Sequence, residues 1–255
     1  MKTNIAVNGF GRIGRGFLRS ALNNNNFCNN FNIVAINDIT DIQTLAHLLK
    51  YDSIFGKYPK NIVIEKDNLI IDSHKIKILA ERDPEKLPWK DLNVQIVLES
   101  TGFFTKNDQA SKHIIAGAKR VIISAPSNDP DVTLVLGVNE EEYDSTKHFV
   151  ISMASCTTNC LAPVIKIINN EFGIEKGFLT TTHAYTSDQK LHDTPHKDLR
   201  RARASNVSII PTTTGAAKSI GEVIPDVNGK LDGLALRVPV PVGSINDITL
   251  LLNKD

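Results

Sequence analysis

Two stretches of the 255-residue chain carry residue types at spacings that could do chemistry. The first is Gly9-Phe10-Gly11-Arg12-Ile13-Gly14, a G-x-G-x-x-G pattern. An apolar run, Ile5-Ala6-Val7, precedes it, and Ile13, Phe17, Leu18, Ala21 and Leu22 follow at helical spacing. In a strand–turn–helix context each glycine has a task. Gly9 permits the tight turn, Gly11 lets backbone approach a pyrophosphate, and Gly14 lets the helix pack closely on the strand. The helix start offers free N–H groups and partial positive charge to the phosphates. A second strand-like run, Phe31–Ile36, leads to Asp38. Its carboxylate can accept from an adenosine ribose 2′-OH and would repel a 2′-phosphate, so the pattern predicts NAD rather than NADP.

The second stretch is Ser152-Met153-Ala154-Ser155-Cys156-Thr157-Thr158-Asn159-Cys160. Helical spacing over Thr157–Glu171 makes Ser155 the expected N-cap and puts Cys156 in the first turn. A helix N-terminus favours thiolate over thiol, which suits a nucleophile. Cys160, one turn deeper, is expected to be a buried, inert thiol. C-x-x-x-C without a second pair is no zinc signature, so no metal is expected. A cysteine nucleophile needs a base. The chain has seven histidines, and His183 in Thr180–Tyr185 is the candidate, but spacing alone does not choose it from His47, His74, His113, His148, His192 and His196.

The elements that must hold these residues alternate. Strands are expected at Asn61–Glu65, Asn68–Ile71, Ile76–Leu79, Val94–Leu98, Val121–Ser124 and Thr133–Val138. Helices are expected at Ile42–Leu49 and Asn107–Ala118. That alternation implies a Rossmann-type, doubly wound parallel α/β sheet over residues 1–155. Asn23–Asn30, six of whose eight residues are Asn, is expected to be a solvated loop. Residues 156–255 read as an α+β catalytic domain with a mostly antiparallel sheet. Its strands are Gly177–Tyr185, Leu231–Val238 and Ile245–Leu252, and the basic stretch Thr186–Asn206 lies between the first two. A loop of that length is usually functional.

Composition excludes several classes. Lys and Arg total 29 against 28 Asp and Glu, so the net charge of +1 gives no electrostatic reason to expect nucleic acid or an anionic membrane. No apolar run approaches the roughly 18–20 residues of a membrane span. Three cysteines, Cys28, Cys156 and Cys160, make no disulfide framework, which fits a reducing, cytoplasmic setting.

At this point the residues resemble one family, phosphorylating glyceraldehyde-3-phosphate dehydrogenase. The resemblance runs through NGFGRIGR (Asn8–Arg15), LAHLLKYDS (Leu45–Ser53), AERDPE (Ala80–Glu85), ESTG (Glu99–Gly102) and AGAKRVIISAP (Ala116–Pro126). It continues through ASCTTNCLAP (Ala154–Pro163), HAYTSDQK (His183–Lys190), PHKDLRRARA (Pro195–Ala204), IIPTTTGAAK (Ile209–Lys218) and LRVPVP (Leu236–Pro241). It implies a homotetramer that oxidises glyceraldehyde 3-phosphate with NAD and inorganic phosphate, in glycolysis or gluconeogenesis. The family's nucleophile falls on Cys156 and its base on His183. The substrate-phosphate site falls on Thr186, Asp188 and Arg237, and the inorganic-phosphate site on Ser155, Thr157, Arg201, Thr214 and Gly215. In the cofactor domain the resemblance adds Arg12, Ile13, Arg82 and Ser124 to the glycines and Asp38.

Two departures matter. Thr194-Pro195 stands where many NAD-specific members have Leu-Pro, so specificity rests mainly on Asp38 and some NADP use is compatible with the sequence. The resemblance also implies about 80 residues beyond Asp255, including an Asn that orients the nicotinamide and a terminal helix. Two other readings stand beside the main one. Erythrose-4-phosphate dehydrogenase, a relative without phosphorolysis, fits Thr186-Ser187-Asp188 and Thr214-Gly215-Ala216 less well. A non-catalytic NAD-binding or redox-sensing protein would use Cys156 only as a reactive thiol.

Overall fold

The structure is a computed structural model that describes residues 2–254. The chain forms two compact units. One runs to Thr133 and includes Glu142–Met153; the other joins Leu134–Glu141 to the chain from Ala154 onward.

The first unit is built on β1 (Thr3–Asn8), β2 (Phe31–Asn37), β5 (Ile62–Glu65), β6 (Asn68–Ile71), β7 (His74–Leu79), β8 (Ile96–Glu99), β9 (Arg120–Ile123), β10 (Val132–Thr133) and β11 (Val150–Ser152). A separate ribbon pairs β3 (Tyr51–Asp52) with β4 (Gly56–Lys57). The sheet order is β10-β11-β9-β8-β1-β2-β7-β6-β5, parallel from β10 to β7 and antiparallel beyond. Both faces are covered, as a parallel sheet requires. Val7 and Ile36 point into a core with Leu18 and Leu45, while their neighbours Ala6 and Ala35 point into another with Trp89 and Val97. The helices are α1 (Arg12–Leu22), α2 (Asn25–Asn30), α3 (Ile42–Lys50), α4 (Asn107–Ala110) and α5 (Lys112–Ile115). The strand order turns at β1, between β8 and β2. Such a switch point is where open α/β sheets bind ligands, at the carboxyl ends of the strands.

The second unit has α6 (Cys156–Phe172), β12 (Ile174–Ala184), β13 (Ile210–Thr213), α7 (Ala216–Val223), β14 (Leu231–Val238) and β15 (Ser244–Leu252). Its sheet runs β13-β14-β12-β15. Two pairings are antiparallel and one, β12 with β14, is parallel. Leu161, Ala162 and Ile165 of α6 pack with Ile220 and Val223 of α7 over Ile174 and Leu179.

Three expected elements differ. Asn23–Asn30 is not a loop, because α2 occupies Asn25–Asn30. Asn24 caps it, accepting from the Phe27 N–H at 3.1 Å, and Phe27 stacks on Phe31 and meets Phe17 edge-on. The expected strand Thr133–Val138 ends at Thr133. Beyond it the Val135 N–H donates to Asn139 Oδ1, the Val138 N–H donates to the Val135 carbonyl, and both valines enter the second unit's core. The helix expected over Asn107–Ala118 is two short helices meeting at Ser111. The sequence reading also omitted β13 and α7.

Candidate active site

The first unit opens a cleft of about 490 Å³ at the strand ends. Gly9, Asp38 and Ser100 line it directly after β1, β2 and β8, with Gly11, Arg82, Thr101 and Phe103. The three glycines behave differently. Gly9 sits at φ +91°, and a Cβ there would lie 2.6 Å from the Thr101 nitrogen. A Cβ on Gly14 would lie 2.3 Å from the Gly9 carbonyl oxygen, so α1 packs on β1 only without one. A Cβ on Gly11 would meet nothing. It would project into the space where a ligand's phosphates could approach the start of α1, which has no side-chain cap and no acidic residue in its first turn. These residues fit a dinucleotide. Asp38 is held ready, its Oδ2 accepting from the Phe10 N–H at 2.8 Å and Oδ1 from the Thr40 N–H at 2.9 Å.

A buried polar chain supports the cleft floor. Trp89, the sole tryptophan, donates its Nε1–H to His113 Nδ1 at 2.9 Å. Tryptophan only donates, so the His113 hydrogen is on Nε2 and points to Glu99 Oε2 at 3.1 Å. Glu99 also accepts from Asn8 Nδ2 at 2.6 Å and from the Thr101 N–H at 2.8 Å, while Asn37 donates to Asn8 at 2.7 Å. Asn8, Asn37 and Thr101, which line the cleft, are thereby oriented from one donor.

In the second unit Ser155 caps α6, its side chain accepting from the Thr158 N–H at 3.0 Å. Ala154 just before it takes φ +55°, a left-handed turn that a non-glycine residue adopts at some cost. The turn leaves Cys156 exposed at the helix start. Its Sγ lies 3.3 Å from His183 Nε2 on β12. Cys160 is also exposed, not buried as expected: at i+4 it falls on the same face of α6 as Cys156.

Around this pair lie most of the expected anion ligands. Arg237 on β14 stands opposite His183 in the parallel register, with Nη1 2.9 Å from His183 Nδ1. Thr186 donates its hydroxyl to Asp188, which is ion-paired with Arg201. Arg201 Nε donates to Thr212 at 2.8 Å. Burial works to raise the Asp188 pKa, but the Thr186 hydroxyl and the charges of Arg201 and Arg237 outweigh it and hold the carboxyl below its ordinary range. Burial lowers the Arg237 guanidinium from its ordinary value, with Asp188 opposing. Thr157 is buried, Thr214 Oγ1 accepts from the Ala216 N–H at 3.2 Å, and Gly215 is the N-cap residue of α7, with open space where a Cβ would be.

Some expected residues stand apart. The Arg12 side chain is ion-paired with Asp52 at 2.7 Å rather than lining the cleft, and Ile13 is exposed. Ser124 donates to the Glu99 carbonyl and is not in the lining either. The sequence reading missed Asn8, Asn37, Thr101 and Phe103. Asn8 and Asn37 were visible as the polar residues ending two apolar runs.

A nucleotide-type sheet with a glycine-cradled helix start, together with a second unit carrying a thiol–imidazole pair, is the build of a two-domain, dinucleotide-linked dehydrogenase. The comparisons are specific. Residues 3–107 match the NAD-binding domain of glyceraldehyde 3-phosphate dehydrogenase and residues 155–255 match its C-terminal domain. The glyceraldehyde-3-phosphate dehydrogenase of Priestia megaterium is 54% identical over 255 residues, covering all of this chain and 75% of the relative. Glyceraldehyde-3-phosphate dehydrogenase 1 of Bacillus subtilis is 53% identical over the same span, and the Mycobacterium avium enzyme is 55% identical over 257 residues. The chain belongs to the glyceraldehyde-3-phosphate dehydrogenase family.

Proposed function

We propose that the protein oxidises D-glyceraldehyde 3-phosphate with NAD and inorganic phosphate to give 1,3-bisphosphoglycerate. The observation that carries this reading is the 3.3 Å approach of Cys156 Sγ to His183 Nε2 at the start of α6. The Cys156 thiolate adds to the aldehyde carbon, forming a C–S bond and an alkoxide that takes up a proton. His183 then removes that hydroxyl proton as the carbon is oxidised. Bound NAD supplies the acceptor for the hydride. A thioester remains on Cys156. Inorganic phosphate attacks its carbonyl, the C–S bond breaks, and the acyl phosphate leaves with the thiolate restored. The Cys156 N–H and protonated His183 stabilise the oxyanions.

Thr186, Asp188 and Arg237 hold the substrate phosphate in this reading, and Ser155, Thr157, Arg201, Thr214 and Gly215 the attacking one. Guanidinium forks and hydroxyls suit both. Residues 1–155 bind NAD through Gly9, Gly11, Gly14, Asp38 and Arg82, with the backbone at Arg12 and Ile13, and residues 156–255 carry the chemistry. The protein works in the cytoplasm as a homotetramer. Leu199, Val207 and Ile209, all between β12 and β13, and Ile245 of β15 support assembly, because each is at least 66% exposed.

The test is the phosphate requirement. Without phosphate, NADH should appear in a burst no larger than the number of sites, and with phosphate it should turn over steadily. Steady turnover without phosphate would favour the erythrose-4-phosphate type of chemistry.

A further inference from the structure

His113 is fully buried in α5 and takes no part in the proposed chemistry. Its surroundings permit one arrangement of hydrogens. Trp89 donates to Nδ1, so the hydrogen of the neutral ring is on Nε2. Nε2 has two polar neighbours, Glu99 Oε2 at 3.1 Å and Asn8 Nδ2 at 3.3 Å. With its hydrogen in place it donates to Glu99. A bare Nε2 would instead compete with Glu99 for the Asn8 amide hydrogens. Trp89 thus keeps His113 and Asn8 as joint donors to one carboxylate.

That carboxylate spans the switch point of the sheet. Its Oε2 holds Asn8, the last residue of β1, at 2.6 Å. Its Oε1 accepts from the Thr101 N–H at 2.8 Å and from the Thr101 hydroxyl, just after β8. The Thr101 nitrogen is the atom that a Cβ on Gly9 would strike first, so the placing of Thr101 sets how closely the glycine turn is packed. Asn8 passes the restraint on. Its Oδ1 accepts from Asn37 Nδ2 at 2.7 Å, and Asn37 Oδ1 accepts from the Glu81 N–H at 2.8 Å. The ends of β1, β2 and β8 and the segment after β7 are therefore tied to one buried hub, and each of them lines the cleft.

We propose that His113 is a positioning residue for the dinucleotide, acting through Glu99 to hold Asn8, Thr101 and the Gly9 turn in the shape that NAD binds. A buried carboxylate that loses a donor is left with an unpaired oxygen, and the groups that can shift toward it are Asn8 and Thr101. The cost falls on cofactor affinity and not on the chemical step, because Cys156 and His183 belong to the other unit.

Two substitutions separate the two bonds of the ring. Asparagine places an acceptor where Nδ1 stands, and glutamine places a donor where Nε2 stands. His113→Asn therefore keeps the partner of Trp89 and withdraws the donor from Glu99; His113→Gln does the reverse. Each leaves one buried group unpaired, so both should lower the thermal midpoint by similar amounts. NAD affinity should tell them apart. By calorimetry, His113→Asn should weaken NAD binding about tenfold and raise the KM for NAD, with kcat at saturating NAD close to wild type. His113→Gln should bind NAD as wild type does. Phe104, also in the cleft lining, meets the His113 ring edge-on, but both variants lose that contact and it cannot produce the difference. Equal NAD affinity in the two variants, whether both weakened or both unchanged, would overturn the proposal. A measurement on the unsubstituted protein stands even if neither variant folds. Nitrogen NMR of 15N-histidine protein should show the Nε2–H tautomer for His113, and the Nδ1–H tautomer would overturn the proposal. The proposal rests on NAD binding by residues 1–155 and not on Cys156, so failure of the thioester chemistry would leave these binding constants unmoved.

Discussion

Cys156 and Cys160 share a face of α6 and both are exposed, so exposure does not separate them. Proximity to His183 does. Iodoacetamide at neutral pH should therefore label Cys156 first and abolish activity, with Cys160 following more slowly, and peptide mapping reads the order. Cys160→Ala should keep most activity and Cys156→Ala none. His183→Asn should slow both alkylation and oxidation. Asp38→Gly should weaken NAD binding and raise the relative use of NADP, read as the ratio of kcat/KM for the two cofactors. Asp188 gives a pH dependence. Its carboxyl is held below the ordinary range, so the Asp188–Arg201 pair is intact above about pH 4 and is lost as pH falls through the depressed value. Substrate KM should rise along that acid limb, and Asp188→Asn should have the raised KM at every pH. At this scale the exposed Cys156 at a capped helix start was legible, because a serine cap and a helix start are local signals. Its approach to His183 was not, because the two residues lie 27 positions apart in sequence on different elements.

At the scale of elements, the glycine motif makes a packing prediction. Gly14→Ala would push a methyl into the Gly9 carbonyl, and backbone on both sides leaves little room to yield. Overpacking of this kind costs about 1–3 kcal/mol, which urea unfolding should register together with weakened NAD binding. Trp89→Phe should cost about 1–3 kcal/mol as well, because His113 Nδ1 would lose its donor inside the protein. Periodicity recovered the strands and helices that bury one clear face, such as β6 and β9. It failed where local composition and tertiary packing disagreed. The asparagine-rich stretch became α2 because one aromatic, Phe27, found two partners. The apolar run after Thr133 looked like a strand, yet its valines serve the second unit's core as a turn.

For the whole molecule, the sequence alternation already implied a parallel sheet followed by a second fold, and the two units have those sheets. No helix among the described residues is long and apolar enough to cross a membrane. The proposed tetramer predicts light scattering near four times the chain mass at micromolar concentration; a monomer would reject it. The central claim, that oxidation proceeds through an acyl group on Cys156, has a more direct test. Mix the protein with glyceraldehyde 3-phosphate and NAD without phosphate, quench in acid, and weigh the cysteine peptides. The Cys156 peptide should carry the 3-phosphoglyceroyl group, which should vanish when phosphate is added before the quench. An acyl group on Cys160 or Cys28, or none on any cysteine while NADH forms, would contradict the account.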